Sequence, residues 1–571
     1  MKFAIWYLPI SVLVWVFYGS LLSGWWYFDD PNIVLFASQH GVSEFLFNPS
    51  IWQSFSPFNL TPWVLISLKA DHILAGFYTS GYYLHQIISL VIVAFAVFNI
   101  LNLYVKKPLF AFIAVIIFLL SPSTLSVTSW LSTRHYLEGL GFALLSIYFY
   151  IRSLRDDKLP LLFLATLFYG LAIASKEIYV PLPFLCILLP VQKLKRRLIF
   201  LIPLFLLTGV YILYRAWMLG DNAFGGYSAI WPWNVKSVIV STPKIFKYYG
   251  GSWWIFFVVF AVILWGFRFI DGWTSRIKEA LRGVSIFSLF YIPIVPVSPL
   301  WGGLGSLRYF FLTSLFITFC YSLSLDRIFE KSGRIQRALL ILSVLPVTAG
   351  FYGSFVEQRV LWDSEKAVAF AEGNFFLENS GSLDAIFKIN QPHWFFDGLE
   401  KLKREESKKE TDRKIRLVSG DFYGFDKDND TYDNDLQVFS YDYKTKKVVN
   451  ITKNAKKGHE EFLGIIKTKP LSVFMNIKDG VLNLKLGPYE GQYILLEALP
   501  SKPDFYYLAF PVNKEFAIKL THRERPRIFR FAYISSGGWT TLSPNFLIDH
   551  AKDQTIRWER SETRAQKNVL I

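Results

Sequence analysis

The sequence predicts a polytopic α-helical membrane protein of about eleven transmembrane helices, followed by a soluble, β-rich C-terminal domain. Three observations carry this expectation. Apolar runs recur from residue 4 to about 355, and a helix needs ~20 such residues to cross ~30 Å of hydrocarbon, where lipid offers an open backbone no partner. Cationic clusters fall at alternate connections between the runs. Past residue 365 the runs stop, and apolar and polar residues begin to alternate.

Composition agrees. Hydrophobic residues make up 53% of the 571, and aromatics 18%, a share that suits membrane interfaces as well as cores. The net charge of +16 is scattered in short clusters rather than gathered on one basic face or arm, so nucleic acid is not an expected partner. The two cysteines, Cys186 and Cys320, lie inside apolar runs and read as small buried hydrophobes, leaving no disulfide framework and no cysteine metal site.

The predicted spans are 4–23, 81–104, 109–121, 137–152, 159–175, 178–191, 198–216, 252–270, 283–297, 308–324 and 338–355. No small-residue cleavage site follows the first run; Gly24-Trp25-Trp26-Tyr27 does, so it reads as an uncleaved span. The clusters Lys106-Lys107, Arg152 to Lys158, Lys193 to Arg197, Arg268 to Arg282 and Arg327 to Arg337 fall on the side of the N-terminus, which the positive-inside bias makes cytoplasmic. Connections 24–80, 121–136, 217–251 and 298–307 are then external, and eleven spans put the C-terminus outside. The first of these loops is apolar but broken by Pro31, Pro49, Pro57 and Pro62; Val42 to Phe47 and Trp63 to Leu74 read as short helices in the interface plane.

This gives two domains, a multispan domain at 1–365 with 24–80 as its first external loop, and a mostly β domain at 366–571. In the second, residues 400–410 read as a solvated charged stretch. Strands are expected at Leu471–Ile477, Leu482–Leu486, Tyr493–Leu496, Phe505–Phe510, Ile528–Ile534 and Thr555–Trp558, as in a sandwich.

Asp29-Asp30 stands a few residues past the first span, at the external boundary. One carboxylate there can take a proton from an acceptor hydroxyl, and its neighbour can orient it or raise its pKa. The plain alternative is a polar helix end. Ser175-Lys176-Glu177, Arg134-His135 and Arg308-Tyr309 fall on the same face. Singly they read equally as a packing ion pair, a snorkelling arginine and an interfacial anchor. Together they set cations beside acids at a membrane surface. That combination suits glycosyl transfer from a lipid-phosphate sugar, in which cations stabilise the departing phosphate.

Several motifs recur in a known order: Phe28-Asp29-Asp30, Phe58-Asn59-Leu60-Thr61-Pro62, Gly81-Tyr82-Tyr83-Leu84-His85-Gln86, Trp130-Leu131-Ser132-Thr133-Arg134, Ala174-Ser175-Lys176-Glu177, Leu307-Arg308-Tyr309-Phe310-Phe311-Leu312-Thr313-Ser314 and Arg359-Val360-Leu361-Trp362. In these, over roughly the first 365 residues, the chain resembles the GT-C glycosyltransferases that use polyprenyl-phosphate sugars, in particular the protein O-mannosyltransferase and transmembrane-TPR mannosyltransferase branch. It departs from them in showing no TPR pattern and in lacking a Leu-Pro-Ser ending after Arg308-Tyr309.

The resemblance implies an inverting hexosyl- or pentosyltransferase. Its donor would be a polyprenyl-phosphate monosaccharide and its acceptor an extracytoplasmic protein hydroxyl, lipid or glycan. It implies Asp29 as catalytic base with Asp30 supporting, and Lys176, Arg134 and Arg308 as the donor phosphate site. Glu177, His85 and Tyr309 would form the sugar or acceptor pocket. The acid pair could ligate Mg²⁺ or Mn²⁺, whereas the resemblance mostly implies no metal.

Other features count for less. Asp426, Asp428 and Asp430 alternate like the start of an EF-hand loop, but Thr431 stands where glycine is needed and Gln437 where the closing glutamate would be. Asn450-Ile451-Thr452 is a glycosylation sequon. No phosphate-binding Gly-rich loop is present, which disfavours a nucleotide donor. The competing reading is a secondary transporter or flippase of an amphiphilic substrate, for which two related halves would be expected and are not evident. A bacterial inner membrane with the β domain in the periplasm is the expected location, an endoplasmic reticulum membrane the alternative.

Overall fold

The computed structural model describes residues 4–571 except 57, 221–222, 224–242, 244–245, 296–303, 408–413, 420–436, 479–480, 500–501, 520–525, 550–551, 562–568 and 571. The acidic run Asp426 to Asp430 and parts of connections 217–251 and 298–307 therefore lie outside the described residues. The chain divides into two compact units, Met1–Lys366 and Ala367–Ile571.

The first unit is helical. After α1 (Ala4–Tyr18) come four short helices of the first loop: α2 (Asp30–Gln39), α3 (Val42–Phe47), α4 (Pro49–Phe55) and α5 (Pro62–Ala75). The prolines that interrupt this loop in sequence start its helices. Pro31, Pro49 and Pro62 sit in the first turns of α2, α4 and α5, where a missing N–H costs nothing and the fixed φ is already helical. The same device opens α7 (Pro108–Leu120) and α8 (Pro122–Ser129), which follow α6 (Thr79–Leu101). Next are α9 (Arg134–Asp156), α10 (Leu159–Ser175), α11 (Leu182–Leu188) and α12 (Leu194–Leu219). Then come α13 (Trp253–Arg268), α14 (Trp273–Tyr291), α15 (Phe311–Lys331) and α16 (Arg334–Asn379).

Among the described residues, six helical segments are long and apolar enough to cross a membrane, or seven if α7 and α8, bent by 57°, count as one broken span. The remaining predicted spans fall on helices that are shorter, such as 159–175, 177–188 and 253–268, or less apolar, such as α14. The unit is a polytopic α-helical membrane domain. Its last helix runs well past the predicted end at 355.

The second unit is rich in β-strands. Its first part is a mixed α/β layer with sheet order β2-β1-β3-β4. The strands are β1 (Ala385–Ile389), β2 (Arg416–Ser419), β3 (Gln437–Asp442) and β4 (Lys447–Asn450), and β1 pairs in parallel with both β2 and β3. Two helices accompany it, α17 (His393–Ser407) and α18 (Thr452–Ile465). The stretch read as solvated charge belongs largely to α17. Phe395, Phe396, Leu399 and Leu402 are buried on one of its faces, and the charges that dominate the sequence occupy the other.

The remainder is the predicted sandwich. One sheet runs β11-β10-β7-β8, with β12 also on β10; the other runs β14-β13-β5-β6-β9. Five of the expected strands fall within β5 (Leu471–Lys478), β6 (Val481–Gly487), β7 (Gln492–Leu499), β8 (Lys502–Val512) and β10 (Arg527–Ile534), and the sixth within β13 (Gln554–Arg560). Leu471, Val473 and Met475 of one sheet meet Tyr493, Phe529 and Phe531 of the other in a single core. β9 (Glu515–Lys519), β11 (Thr540–Leu542), β12 (Phe546–Ile548) and β14 (Val569–Leu570) were not expected; they are short and carry little alternation.

Candidate functional site

The acid pair sits on a strained turn. Phe28 has φ +53, a conformation few non-glycine residues adopt. It swings the chain from the apolar end of the first span into α2. Asp29 is the residue that precedes the helix and Asp30 its first residue. Their environments differ. Asp30 is 1% exposed. Its Oδ2 accepts the backbone N–H of Tyr27 at 3.0 Å, and its Oδ1 that of Ser132 at 2.8 Å. Both oxygens are thus committed to holding the turn against the chain before α9. Asp29 is half-buried. Its Oδ1 accepts the Trp130 indole N–H at 3.2 Å, and the Ser132 side chain bonds it as well.

Burial raises the pKa of Asp29, while the bonds from Ser132 and Trp130 and the charge of Arg308 oppose the rise. Burial and then the neighbouring Asp29 charge push Asp30 up to about 8. The Tyr27 phenol is also raised, by burial first and then by nearby acids.

Trp130 is the hub of the surrounding wall. Tyr27 and Phe28 each lie 5.8 Å from its ring, edge-on, and Trp362 lies 6.4 Å away. The Arg308 guanidinium lies over the same indole at 4.8 Å and over the Tyr309 ring at 4.5 Å. Arg308 also donates to the Gly305 carbonyl and, at 2.9 Å, to the Tyr309 hydroxyl. Gly305 makes this seating possible, since a Cβ there would come within 2.8 Å of the Trp130 ring and 3.0 Å of Arg308. Tyr309 is buried, with Tyr291 and Phe310 in its hydrophobic cluster.

Lys176 lies in the extended link after α10, with its ammonium 3.4 Å from Glu177 and 5.8 Å from the centre of the Tyr136 ring. The charges of Lys176 and Arg308 both act on the His135 imidazole. An apolar cavity of about 300 Å³ opens among α6, α9, α11, α13, α14 and α15. Its lining runs from Tyr179 and Leu312, one turn beyond Lys176 and Arg308, to Arg327.

Arg134 and His85 belong to a different cluster. Arg134 is wholly buried. Its guanidinium pairs with Asp71, lies 3.8 Å from Glu138, and donates to Gln86 at 3.2 Å, Ser67 at 3.2 Å and the Tyr82 carbonyl at 2.8 Å. His85 joins it, 2.7 Å from Asp71 and 3.3 Å from Glu138. Trp63 and Ser67 of α5 each donate to Glu138 at 2.8 Å. Arg134 was expected at the donor phosphate and His85 in the pocket. Instead they tie α5, α6 and α9 together, and no donor of Arg134 faces open space. The reason is charge: two buried acids, Asp71 and Glu138, need a cation. Neither acid was singled out in the sequence, although Glu138 stands four residues after Arg134 in an apolar run, the spacing of a helical ion pair.

The acid pair is also a poor metal site. Both Asp30 oxygens already accept N–H donors. Among the described residues, no group of three or more His, Cys, Asp or Glu side chains converges as a metal centre would require.

No family model matches the chain, and neither does any curated protein. Among solved structures it is similar to ArnT from Cupriavidus metallidurans bound to undecaprenyl phosphate, at 12% identity and TM-score 0.44, over 76% of this chain and 87% of that one. It is also similar to the archaeal oligosaccharyltransferase AglB from Archaeoglobus fulgidus in complex with an inhibitory peptide and a dolichol-phosphate, at 11% identity and TM-score 0.43, over 83% and 73%. The Archaeoglobus fulgidus oligosaccharyltransferase tethered to an acceptor peptide is matched at 13% identity and TM-score 0.44, over 86% and 75%.

Proposed function

We propose that the protein is an integral membrane glycosyltransferase that moves a monosaccharide from a polyprenyl-phosphate donor to an extracytoplasmic hydroxyl. One observation carries the reading. A carboxylate and a guanidinium share one indole: Trp130 donates to Asp29 and lies under Arg308. A base and an anion-binding cation are thus held a ring's width apart, as displacement at a sugar carbon bonded to phosphate requires.

In the proposed step Asp29 takes the proton of the acceptor hydroxyl. The acceptor oxygen forms the new bond to the anomeric carbon as the bond from that carbon to the phosphate oxygen breaks. The electron pair leaves with the polyprenyl phosphate, whose charge Arg308 and Lys176 stabilise. Single displacement inverts the anomeric centre. Glu177 orients Lys176, and Tyr309 fixes the Arg308 fork. Asp30 and the cluster of Arg134, His85, Asp71 and Glu138 are scaffold. The apolar cavity beginning beside Tyr179 and Leu312 suits the isoprenoid chain of such a donor. The sugar, the acceptor, the periplasmic setting and the hexosyl or pentosyl subtype belong to the same proposal.

The test uses the full chain in nanodiscs or liposomes with labelled polyprenyl-phosphate sugars and a panel of acceptors. Release of polyprenyl phosphate coupled to a labelled acceptor supports the reading. Passage of intact donor across the bilayer without bond cleavage points instead to a flippase.

A further inference from the structure

Three of the cationic clusters expected on one side of the membrane, at Lys106-Lys107, Arg268 to Arg282 and Arg327 to Arg337, meet in space. Lys106 pairs with Glu330, and Lys331 with Asp271 at 2.9 Å. Asp326 accepts the backbone N–H groups of Lys106 at 3.0 Å and Lys107 at 3.1 Å. The connections after α6 and α13 are thereby held against the end of α15. The apolar cavity ends among these same segments, where Tyr104, Arg282 and Arg327 belong to its lining. Leu312 and Arg327 stand near opposite ends of α15, about 22 Å apart at the helical rise, so this end of the cavity is remote from Arg308. Two polar groups here lack partners. The Tyr104 hydroxyl is buried and makes no hydrogen bond among the described residues. Among the same residues no hydrogen bond or ion pair reaches Arg327, whereas Lys106, Lys331 and Arg282 each have an acid. Buried polar groups are nearly always bonded, and a guanidinium lining an apolar cavity calls for an anion.

We propose that this end of the cavity is a binding site for an anionic phospholipid of the adjoining leaflet, which inserts one acyl chain into the cavity and sets its phosphate on Arg327 and Tyr104. Charge and shape select that occupant. Along α15 the lining passes from Leu312, Leu315 and Phe319 to Arg327, the order of a hydrocarbon chain and its head group. The planar guanidinium fork matches two phosphate oxygens, and the phenol O–H donates to a third. The positive-inside bias makes this side cytoplasmic, where basic pockets between helices meet anionic head groups. The proposal goes beyond the transferase reading and does not rest on it. The donor phosphate belongs to Arg308 and Lys176, the phospholipid to Arg327, and the two chains enter one apolar cavity from opposite ends.

The experiment titrates the delipidated full chain in detergent with phosphatidylglycerol, with phosphatidylcholine of the same acyl chains and with polyprenyl phosphate, and reads bound lipid by native mass spectrometry. Phosphatidylglycerol is expected to bind about tenfold more tightly than phosphatidylcholine, the worth of one charge-assisted contact. Arg327→Gln is expected to abolish that preference, Tyr104→Phe to narrow it and Arg327→Lys to keep part of it, while Arg308→Ala leaves it unchanged. Phosphatidylglycerol with a photoreactive group in mid-chain is expected to label wild-type α15 between Leu315 and Leu323. Equal binding of the two phospholipids overturns the proposal, as does a folded Arg327→Gln that keeps the preference. Should the variants not fold, wild-type labelling confined to residues outside the cavity overturns it. Polyprenyl phosphate whose binding is lost in Arg327→Gln and kept in Arg308→Ala gives the site to the donor lipid and overturns it as well. A preference that behaves as expected in a protein that transfers no sugar leaves the phospholipid site standing and rejects only the transferase reading.

Discussion

Asp30 Oδ1 accepts the backbone N–H of Ser132 at 2.8 Å, and this single bond joins the turn after the first span to the chain entering α9. With the Tyr27 N–H on the other oxygen, Asp30→Ala orphans two buried donors, at about 1–3 kcal/mol each. Its melting temperature in detergent is expected to fall by several degrees. Asp30→Asn keeps one acceptor and should fall less. An Asp30→Ala protein as stable as wild type would remove Asp30 from its structural role.

The pH dependence of stability follows from the same burial. Asp30 is raised from its ordinary value of 3.8 to about 8. Below about pH 4 it is protonated whether the chain is folded or not. Between 4 and 8 the unfolded chain has lost this proton and the folded chain retains it, so stability falls as pH rises through that window. Asp30→Asn removes this contribution. Thermal unfolding at pH 5, 7 and 9 should therefore show a flatter decline for the variant than for wild type.

Arg134 is predicted to act on stability and not on donor affinity. Arg134→Gln strands Asp71 and Glu138, and breaking a buried pair in this way costs about 3–5 kcal/mol. Adding Asp71→Asn should recover part of that loss, which a double-mutant cycle of unfolding free energies measures. A folded Arg134→Gln with wild-type stability and a tenfold weaker donor would return Arg134 to the phosphate site.

Lys176 and Arg308 should behave in the opposite way. On the proposed reading both charges meet the donor phosphate, so Lys176→Ala and Arg308→Ala are expected to weaken binding of polyprenyl phosphate by roughly 10- to 100-fold, the worth of a charge-assisted contact. Melting temperatures should change little. Gly305→Ala, which crowds Trp130 and Arg308, should mimic the arginine variant. Binding measured by tryptophan quenching checks all three.

Much of the fold was legible because its signals are local. Apolar runs and proline punctuation reported the helices, and alternation reported the longer strands of the sandwich. Helix α17 was not anticipated because its charged face hid Phe395, Phe396, Leu399 and Leu402. Parallel pairing of β1 with β2 and β3 leaves no turn signal between neighbouring strands. At the site, Asp29, Asp30, Lys176 and Arg308 stood out as ionisable residues at the ends of apolar runs. Arg134 stood out for the same reason, but its ion-pair partner Asp71 lies on another helix, far away in sequence, and Glu138, four residues along its own helix, was passed over. Lys366 was invisible for a similar reason. In sequence it is one charge in the polar stretch after the last predicted span, and only the length of α16 carries it back against the Tyr83 ring.

The central claim is that Asp29 is the base. The most direct measurement is single-turnover transfer from labelled polyprenyl-phosphate sugar by wild type and Asp29→Asn, with folding and donor binding verified in the same preparations. The account predicts unchanged donor binding and a transfer rate lower by about 10²–10⁴-fold, the usual worth of a general base. A folded, donor-bound Asp29→Asn that transfers sugar at the wild-type rate would contradict it.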